Sequence, residues 1–302
     1  MTQLSRARLS NLKGTLRNAA LLMSLAAGLA ACTSGSQLVK PILRFDPPSS
    51  EFEGLQVGRM EQWSTALASG GEVEIINPYG DVYIRHNRGG VNVGISGVIQ
   101  RLGQQPAIEN IELRASKDHV RLEVKYPAGI DTTPDNFDRP GRVDLAVLVP
   151  QGSMLRVRTA DGVITGKRVR ANIQAQTGSG RIDLSSTGWL DLGSDSGNIQ
   201  LVLIGDRWNH AHRIRTRSGS IAVEFPTKAP LAVHARSAGT ISVVPDVLAE
   251  RLTLDGDTLH GEWGDAPAGQ RIDAESETGN ISFGLYGWMR ESVAGRIPDS
   301  PR

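Results

Sequence analysis

The sequence predicts an all-β chain, a parallel β-solenoid preceded by a more irregular antiparallel β N-terminal portion. Three observations carry this. The pattern T-x-[SD]-G-x-I, with drift in its polar letters, returns around Gly162, Gly180, Gly197, Gly219, Gly239 and Gly279. Its spacings are 18, 17, 22 and 20 residues, followed by a gap of 40 with room for two units, and self-similarity at such a period marks stacked coils. Apolar and polar residues alternate around the copies with the two-residue period of a half-buried strand, and helical periodicity is almost absent.

Residues 1–31 read as a secretory signal. Arg6, Arg8, Lys13 and Arg17 occur there without any acid, ahead of the apolar run Ala19 to Ala31, which is short of the roughly 20 residues a membrane-spanning helix needs. Leu29-Ala30-Ala31-Cys32 resembles the bacterial lipobox, in which the cysteine becomes the lipid-modified first residue. Cys32 is the single cysteine in 302 residues, so no internal disulfide competes for it. Several acyl chains, at about 0.8 kcal/mol per buried methylene, make a durable anchor. The next residue is Thr33 rather than aspartate, so the resemblance to such signals implies the outer membrane.

Loss of residues 1–31 removes four basic and no acidic residues, leaving 29 against 32. A mature charge near minus three gives no argument for a nucleic-acid partner. Residues 32–65 hold Ser34, Gly35, Ser36, Pro41, Pro47 and Pro48 with little apolar period, and are read as a flexible membrane tether.

The N-terminal β portion, 66–150, opens with Val73 and Ile75, turns at Asn77-Pro78-Tyr79-Gly80, and continues with Val82 and Ile84. Gly80 thus heads a first, imperfect copy of the later unit. Strands are expected at 91–99, 108–115, 119–126 and 143–149. The pair flanking Ser116-Lys117-Asp118 is antiparallel, and a polar excursion runs from Pro127 to Gly141.

Residues 151–285 hold the regular repeats, and 286–302 a C-terminal cap and tail. Two and four residues after each glycine stand Ile182 and Leu184, Ile199 and Leu201, Ile221 and Val223, Ile241 and Val243, Ile281 and Phe283. Upstream, Leu155 and Val157, Ile173 and Ala175, Leu190 and Leu192, Ile272 and Ala274 mark a second inward-facing strand. Between the two strands the chain bends, and glycine is expected because it takes positive φ at little cost. Neighbouring hydroxyls (Thr159, Thr177, Ser179, Ser194, Ser196, Thr216, Ser218, Ser276, Thr278) are expected to bond the freed backbone of the bend. The stretch Leu252 to Asp257 departs from the pattern, and its register is left open.

Asn77-Pro78-Tyr79-Gly80-Asp81-Val82, Val149-Pro150-Gln151-Gly152-Ser153 leading into Leu155-Arg156-Val157, and the runs Thr-Gly-Ser-Gly-Arg-Ile and Ser-Asp-Ser-Gly-Asn-Ile resemble the bacterial putative-adhesin family of β-solenoid proteins. The resemblance covers about residues 70–285. It implies a right-handed parallel β-helix or a related solenoid, with no catalytic residues to carry over and no defined function.

Asp161, Asp183, Asp191, Asp195 and Asp206 are weighed as catalytic carboxylates of a polysaccharide-acting β-helix, which needs two such groups about 5 to 9.5 Å apart. Those at the turns are also ordinary turn formers, and no catalytic residue is assigned. His210 and His212, with His234 about one coil on, form at most a partial metal set; no metal or cofactor is assigned. Nucleophile elbow, phosphate loop and dinucleotide fingerprint are all absent from the sequence. Arg156, Arg158, Arg213, Arg215 and Arg217, with Lys167, Arg168 and Arg170, alternate with apolar residues and are the candidate ligand surface, suited to lipopolysaccharide or acidic glycans. The alternative is a solvated face that discourages edge pairing. Trp189, Trp208, Trp263 and Trp288 could stack on sugars or fill coil corners. The reading is a lipid-anchored, non-catalytic envelope surface; a polysaccharide-acting enzyme and a sensor binding another envelope protein are the alternatives.

Overall fold

Strands at the predicted places close into two large mixed sheets. The structure, a computed structural model, describes residues 55–102, 108, 110–131 and 141–286. The signal, Cys32, the tether up to residue 54, the middle of the polar excursion, and the tail from 287 with Trp288 lie outside the described residues. The first strand, β1 (Leu55–Ala66), occupies residues that the sequence reading gave to the tether. It pairs antiparallel with β4 (Asn92–Leu102), and its register shifts between Val57 and Arg59. That bulge interrupts the two-residue period, which is why the strand escaped notice.

The N-terminal part continues with β2 (Glu72–Ile76), β3 (Val82–His86), β5 (Asn110–Ala115), β6 (His119–Lys125) and β7 (Gly141–Val149). As expected, β5 and β6 form an antiparallel pair. The repeats supply β8 (Met154–Arg158), β9 (Ile164–Val169), β10 (Asn172–Thr177), β11 (Ile182–Ser186), β12 (Leu190–Ser194), β13 (Ile199–Leu203), β14 (His212–Thr216) and β15 (Ile221–Phe225). Then come β16 (Leu231–Ser237), β17 (Ile241–Val244), one helical turn α1 (Asp246–Ala249), β18 (Leu252–Asp255), β19 (Thr258–Trp263), β20 (Arg271–Ser276) and β21 (Ile281–Leu285).

The first sheet runs β1-β4-β7-β3-β9-β11-β13-β15-β21-β17, and the second β18-β19-β16-β20-β14-β12-β10-β8-β2-β6-β5. From β7 to β17 and from β6 to β16 the neighbours are parallel. Their flanks are antiparallel, so each sheet is mixed. The inward rows are those the periodicity picked out. Ile182, Leu184, Ile173 and Ala175 are fully buried, and one continuous core joins residues of both sheets. Each fully buried Leu or Ile contributes about 1.5 to 3 kcal/mol.

The gap of 40 residues holds no pair of regular coils: β18 and β19 form an antiparallel hairpin whose second strand pairs antiparallel with β16. The last copies also stack out of chain order, because β21 lies between β15 and β17. The Gly279 unit therefore sits next to the Gly219 unit, and the Gly239 unit lies beyond it.

The glycine column has a different cause from the one expected. Of its seven members only Gly80 has positive φ, at 125°. A Cβ on Gly162, Gly180, Gly197, Gly219 or Gly279 would lie 1.9 to 2.1 Å from the carbonyl oxygen of the glycine in the neighbouring unit, and on Gly239 2.6 Å from that of Gly279. Close stacking of backbones, not bending, excludes a side chain. At the head of the column a Cβ on Gly80 would meet the Val143 oxygen at 2.0 Å.

A hydroxyl three residues before Gly180, Gly197, Gly219 and Gly279 threads this stack. Thr177 Oγ1 accepts the Gly180 N–H at 3.0 Å and lies 3.5 Å from the Gly162 carbonyl. Thr216 serves Gly219 and Gly197 alike, and Ser276 serves Gly279 and Gly219. Ser194 accepts from Gly197 and donates to Gly178. Ser237 bonds Gly239 and Gly279 from two residues before its glycine. Asn77 takes over at the head, donating from Nδ2 to Gly80 and Val143 at 3.1 and 2.8 Å. The second set of predicted hydroxyls, Ser179, Ser196, Ser218 and Thr278, is exposed.

Candidate functional site

In-register parallel stacking turns a repeated outward position into a row along the sheet. Like charges in adjacent positions of such a row repel, and on the second sheet the rows alternate in sign. Arg156, Arg158, Arg213, Arg215 and Arg217 do share this outer face, but they do not form a basic stripe. Arg156 Nε lies 2.8 Å from Glu72, Arg158 3.8 Å from Glu74, Arg215 3.7 Å from Glu275 and Arg217 3.2 Å from Asp195. Arg213 stands in register between Asp191 and Asp273. Two strands, β10 and β12, separate the two arginine groups, a distance of about 14 Å at normal strand spacing. A shallow depression lies between them over Gly178 and Gly193, with Arg158, Arg215 and Arg217 facing Asp191, Asp195, Glu275 and Glu277. These exposed pairs contribute about 0 to 1 kcal/mol each and leave little net field.

Of the candidate carboxylates, Asp191 and Asp195 share that depression and the others scatter. Asp183 lies on β11 of the first sheet, Asp191 on β12 of the second, and Asp195 in the turn that follows, while Asp206 stands in the loop after β13. Asp161 forms a bridge to Tyr79. Among the described residues, the carboxyl pushed above its ordinary value is that of Asp144, raised by burial against the pull of Arg142. It is no substrate-facing acid. Arg142 Nη2 binds it at 2.6 Å and reaches Asp81 at 3.1 Å, while Gln100 donates to it at 2.7 Å. Asp81 in turn accepts the Val163 N–H at 2.9 Å. This enclosed network ties β3, β4 and β7 to the turn after Gly162.

The histidines also part company. His212 points inward and is fully buried, with its ring 4.6 Å from that of Trp208, whereas His210 is exposed and packs edge-on to Trp189. Neither ring nitrogen of His212 has a hydrogen-bond partner, and burial pushes its pKa down to about 3. His234 faces outward opposite His260, in register with Asp273. Among the described residues no cluster of three His, Cys, Asp or Glu is placed to hold a metal ion. Trp189 donates to the Ala211 carbonyl and Trp263 to that of Thr227, so both brace loops.

Sequence reasoning missed a grouping on the other face. Lys167, Arg168 and Arg170 belong to the β9 segment of the first sheet, not to the arginine face. The parallel pairing of β3 with β9 sets Arg85 and Arg88 beside them, in a groove that Asp183 and Glu224 also line. A run such as Lys-Arg-Val-Arg is visible in a sequence, but its partner 82 residues earlier is not.

No family model and no curated protein matches the chain. Among solved structures, it is similar to a putative cell adhesion protein from Clostridium sporogenes, at 9% identity and TM-score 0.41, over 75% of this chain and 100% of that one. Putative adhesins from Bacteroides fragilis and Parabacteroides distasonis align at 9% identity with TM-scores of 0.27 and 0.23. They cover 75% and 76% of this chain, and 97% of each of those.

Proposed function

We propose that the chain is a lipid-anchored, non-catalytic protein of the cell envelope, with an adhesin-like interaction or structural role. Its parallel runs of strands are the coils of a solenoid. Cys32 carries the acyl chains, residues beyond it form the tether, and the outer membrane is the site of anchoring. The partners are envelope glycans, lipopolysaccharide or another envelope protein. The observation that carries this reading is the in-register stacking of β8-β10-β12-β14-β20 and of β9-β11-β13-β15-β21, which repeats outward positions into long, solvent-facing rows.

Two measurements test it. Mass spectrometry of the mature amino terminus should find an acylated Cys32; an unmodified start at another residue removes the anchor. A glycan and lipopolysaccharide array, assayed in parallel for released reducing sugar, should show retention without turnover. Saccharide cleavage that disappears on an Asp→Asn change would establish the enzyme instead.

A further inference from the structure

We infer that the outer face of the first sheet carries a binding groove for an acidic saccharide, a sugar chain bearing phosphate or carboxylate groups. The inference takes its ligand class from the reading of the chain as an envelope interaction surface. Its location comes from the structure alone.

Arg85, Arg88, Lys167, Arg168 and Arg170 are all exposed around one groove. None of the five forms an ion pair with a described residue, whereas Arg156, Arg158, Arg215 and Arg217 of the other sheet each have a carboxylate partner. Two carboxylates, Asp183 and Glu224, share the groove with the five cations, so a net positive field remains. Such a concave site of net positive charge concentrates anions, and guanidinium groups match the geometry of phosphate and carboxylate.

The backbone is shaped to hold these side chains outward. In a regular strand, successive side chains alternate between core and solvent, so either Lys167 or Arg168 would face inward. A bulge intervenes: the β9–β11 register shifts between Leu184 and Ser186, opposite Gly166 and Val169. Both basic residues stay exposed, while Val169 returns to the core. Arg168 has φ of 51°, the one positive value at a non-glycine among the described residues, and its N–H donates to Ser185 Oγ at 2.8 Å. Left-handed backbone at a bulky residue is strained and gathers at ligand clamps. At the same groove His86 keeps a buried Nδ1 without a hydrogen-bond partner.

The rest of the groove favours a sugar over other polyanions. The amides of Gln151 and Gln200 suit hydroxyl groups, Val202 and Ile204 offer apolar patches, and Tyr286 presents a half-exposed ring for stacking on a pyranose face. Among the described residues the groove's rings are those of Tyr286 and His86, short of the succession of aromatic platforms on which nucleic-acid bases stack.

The test is isothermal titration of the full chain against oligogalacturonate and a phosphorylated oligomannose, with neutral oligomannose as control, at two salt concentrations. Both acidic sugars, or one of them, should bind at least tenfold more tightly than the neutral sugar, and less tightly at high salt. Arg170→Ala and the pair Lys167→Ala with Arg168→Gly should weaken binding tenfold or more. The glycine keeps the left-handed backbone while removing the guanidinium, and unchanged melting temperatures confirm folding. The pair Arg215→Ala with Arg217→Ala should bind within twofold of the parent. Equal binding by the groove variants would overturn the assignment, as would tighter binding of single-stranded DNA or anionic vesicles. Failure to bind any acidic sugar would overturn the groove while leaving an acylated, protein-binding envelope factor intact, since the mass of Cys32 is measured independently.

Discussion

Gly162 and Gly180 stack so closely that a methyl group added to Gly180 would lie 1.9 Å from the Gly162 carbonyl oxygen. This contact, repeated from unit to unit, makes glycine obligatory where the backbone φ is ordinary. Gly180→Ala should therefore cost about 3 kcal/mol or more, since the obstacle is backbone that cannot step aside. Gly193→Ala is the control: its added carbon would meet the Gln176 side chain at an ordinary 3.7 Å, and its effect should stay within about 0.5 kcal/mol. Urea unfolding of both variants checks the contrast; equal losses would refute backbone contact as the reason for the column.

The hydroxyl relay gives a second prediction. Thr177→Val preserves shape but leaves the buried Gly180 N–H without its acceptor, at a cost of about 1 to 3 kcal/mol. Thr177→Ser keeps the oxygen and should recover most of that stability. Amide exchange at Gly180 should quicken in the valine variant alone.

Asn77 closes the column with two donated bonds, to Gly80 and Val143. Asn77→Asp replaces the donor with a carboxylate facing two carbonyl oxygens, and should destabilise by about 3 kcal/mol at neutral pH. The loss should shrink in acid, where the protonated carboxyl can donate again. Denaturation midpoints measured at neutral and acidic pH decide this; a pH-independent loss would contradict it.

His212 makes the fold acid-sensitive. Its folded pKa, about 3, lies below the ordinary 6.5, so across that window the unfolded chain binds more protons and stability falls as pH falls. The loss from about pH 7 to about pH 5 should be about 2 kcal/mol. His212→Leu places an aliphatic residue where the neighbouring strand β20 carries Ile272, and should lose less stability over the same range. Parallel unfolding curves for parent and variant at both pH values would refute the assignment.

Much of the fold was legible because it is written in local period. Val73 and Ile75, Val82 and Ile84, and the paired rows from Leu155 to Phe283 alternate strictly, and strand alternation is set by neighbours two residues apart. The Thr and Ser residues three positions before the glycines were also visible, and their buried role follows from a spacing within one turn. By contrast, β1 hid behind its bulge, and the arginine face looked basic because its counter-charges lie on adjacent strands rather than in adjacent sequence.

The sequence by itself thus determined that this chain is all-β, where most strands run, and which glycines and hydroxyls line its turns. The tertiary structure alone decided that the Gly279 unit lies between the Gly219 and Gly239 units, and that Leu252 to Trp263 form a hairpin. It also decided that Arg85 and Arg88 meet Lys167, Arg168 and Arg170, while Arg156, Arg158, Arg215 and Arg217 pair with carboxylates. The physical reason is the parallel ladder: each strand edge takes a partner from a unit 17 or more residues away, and nothing local specifies which edge that is.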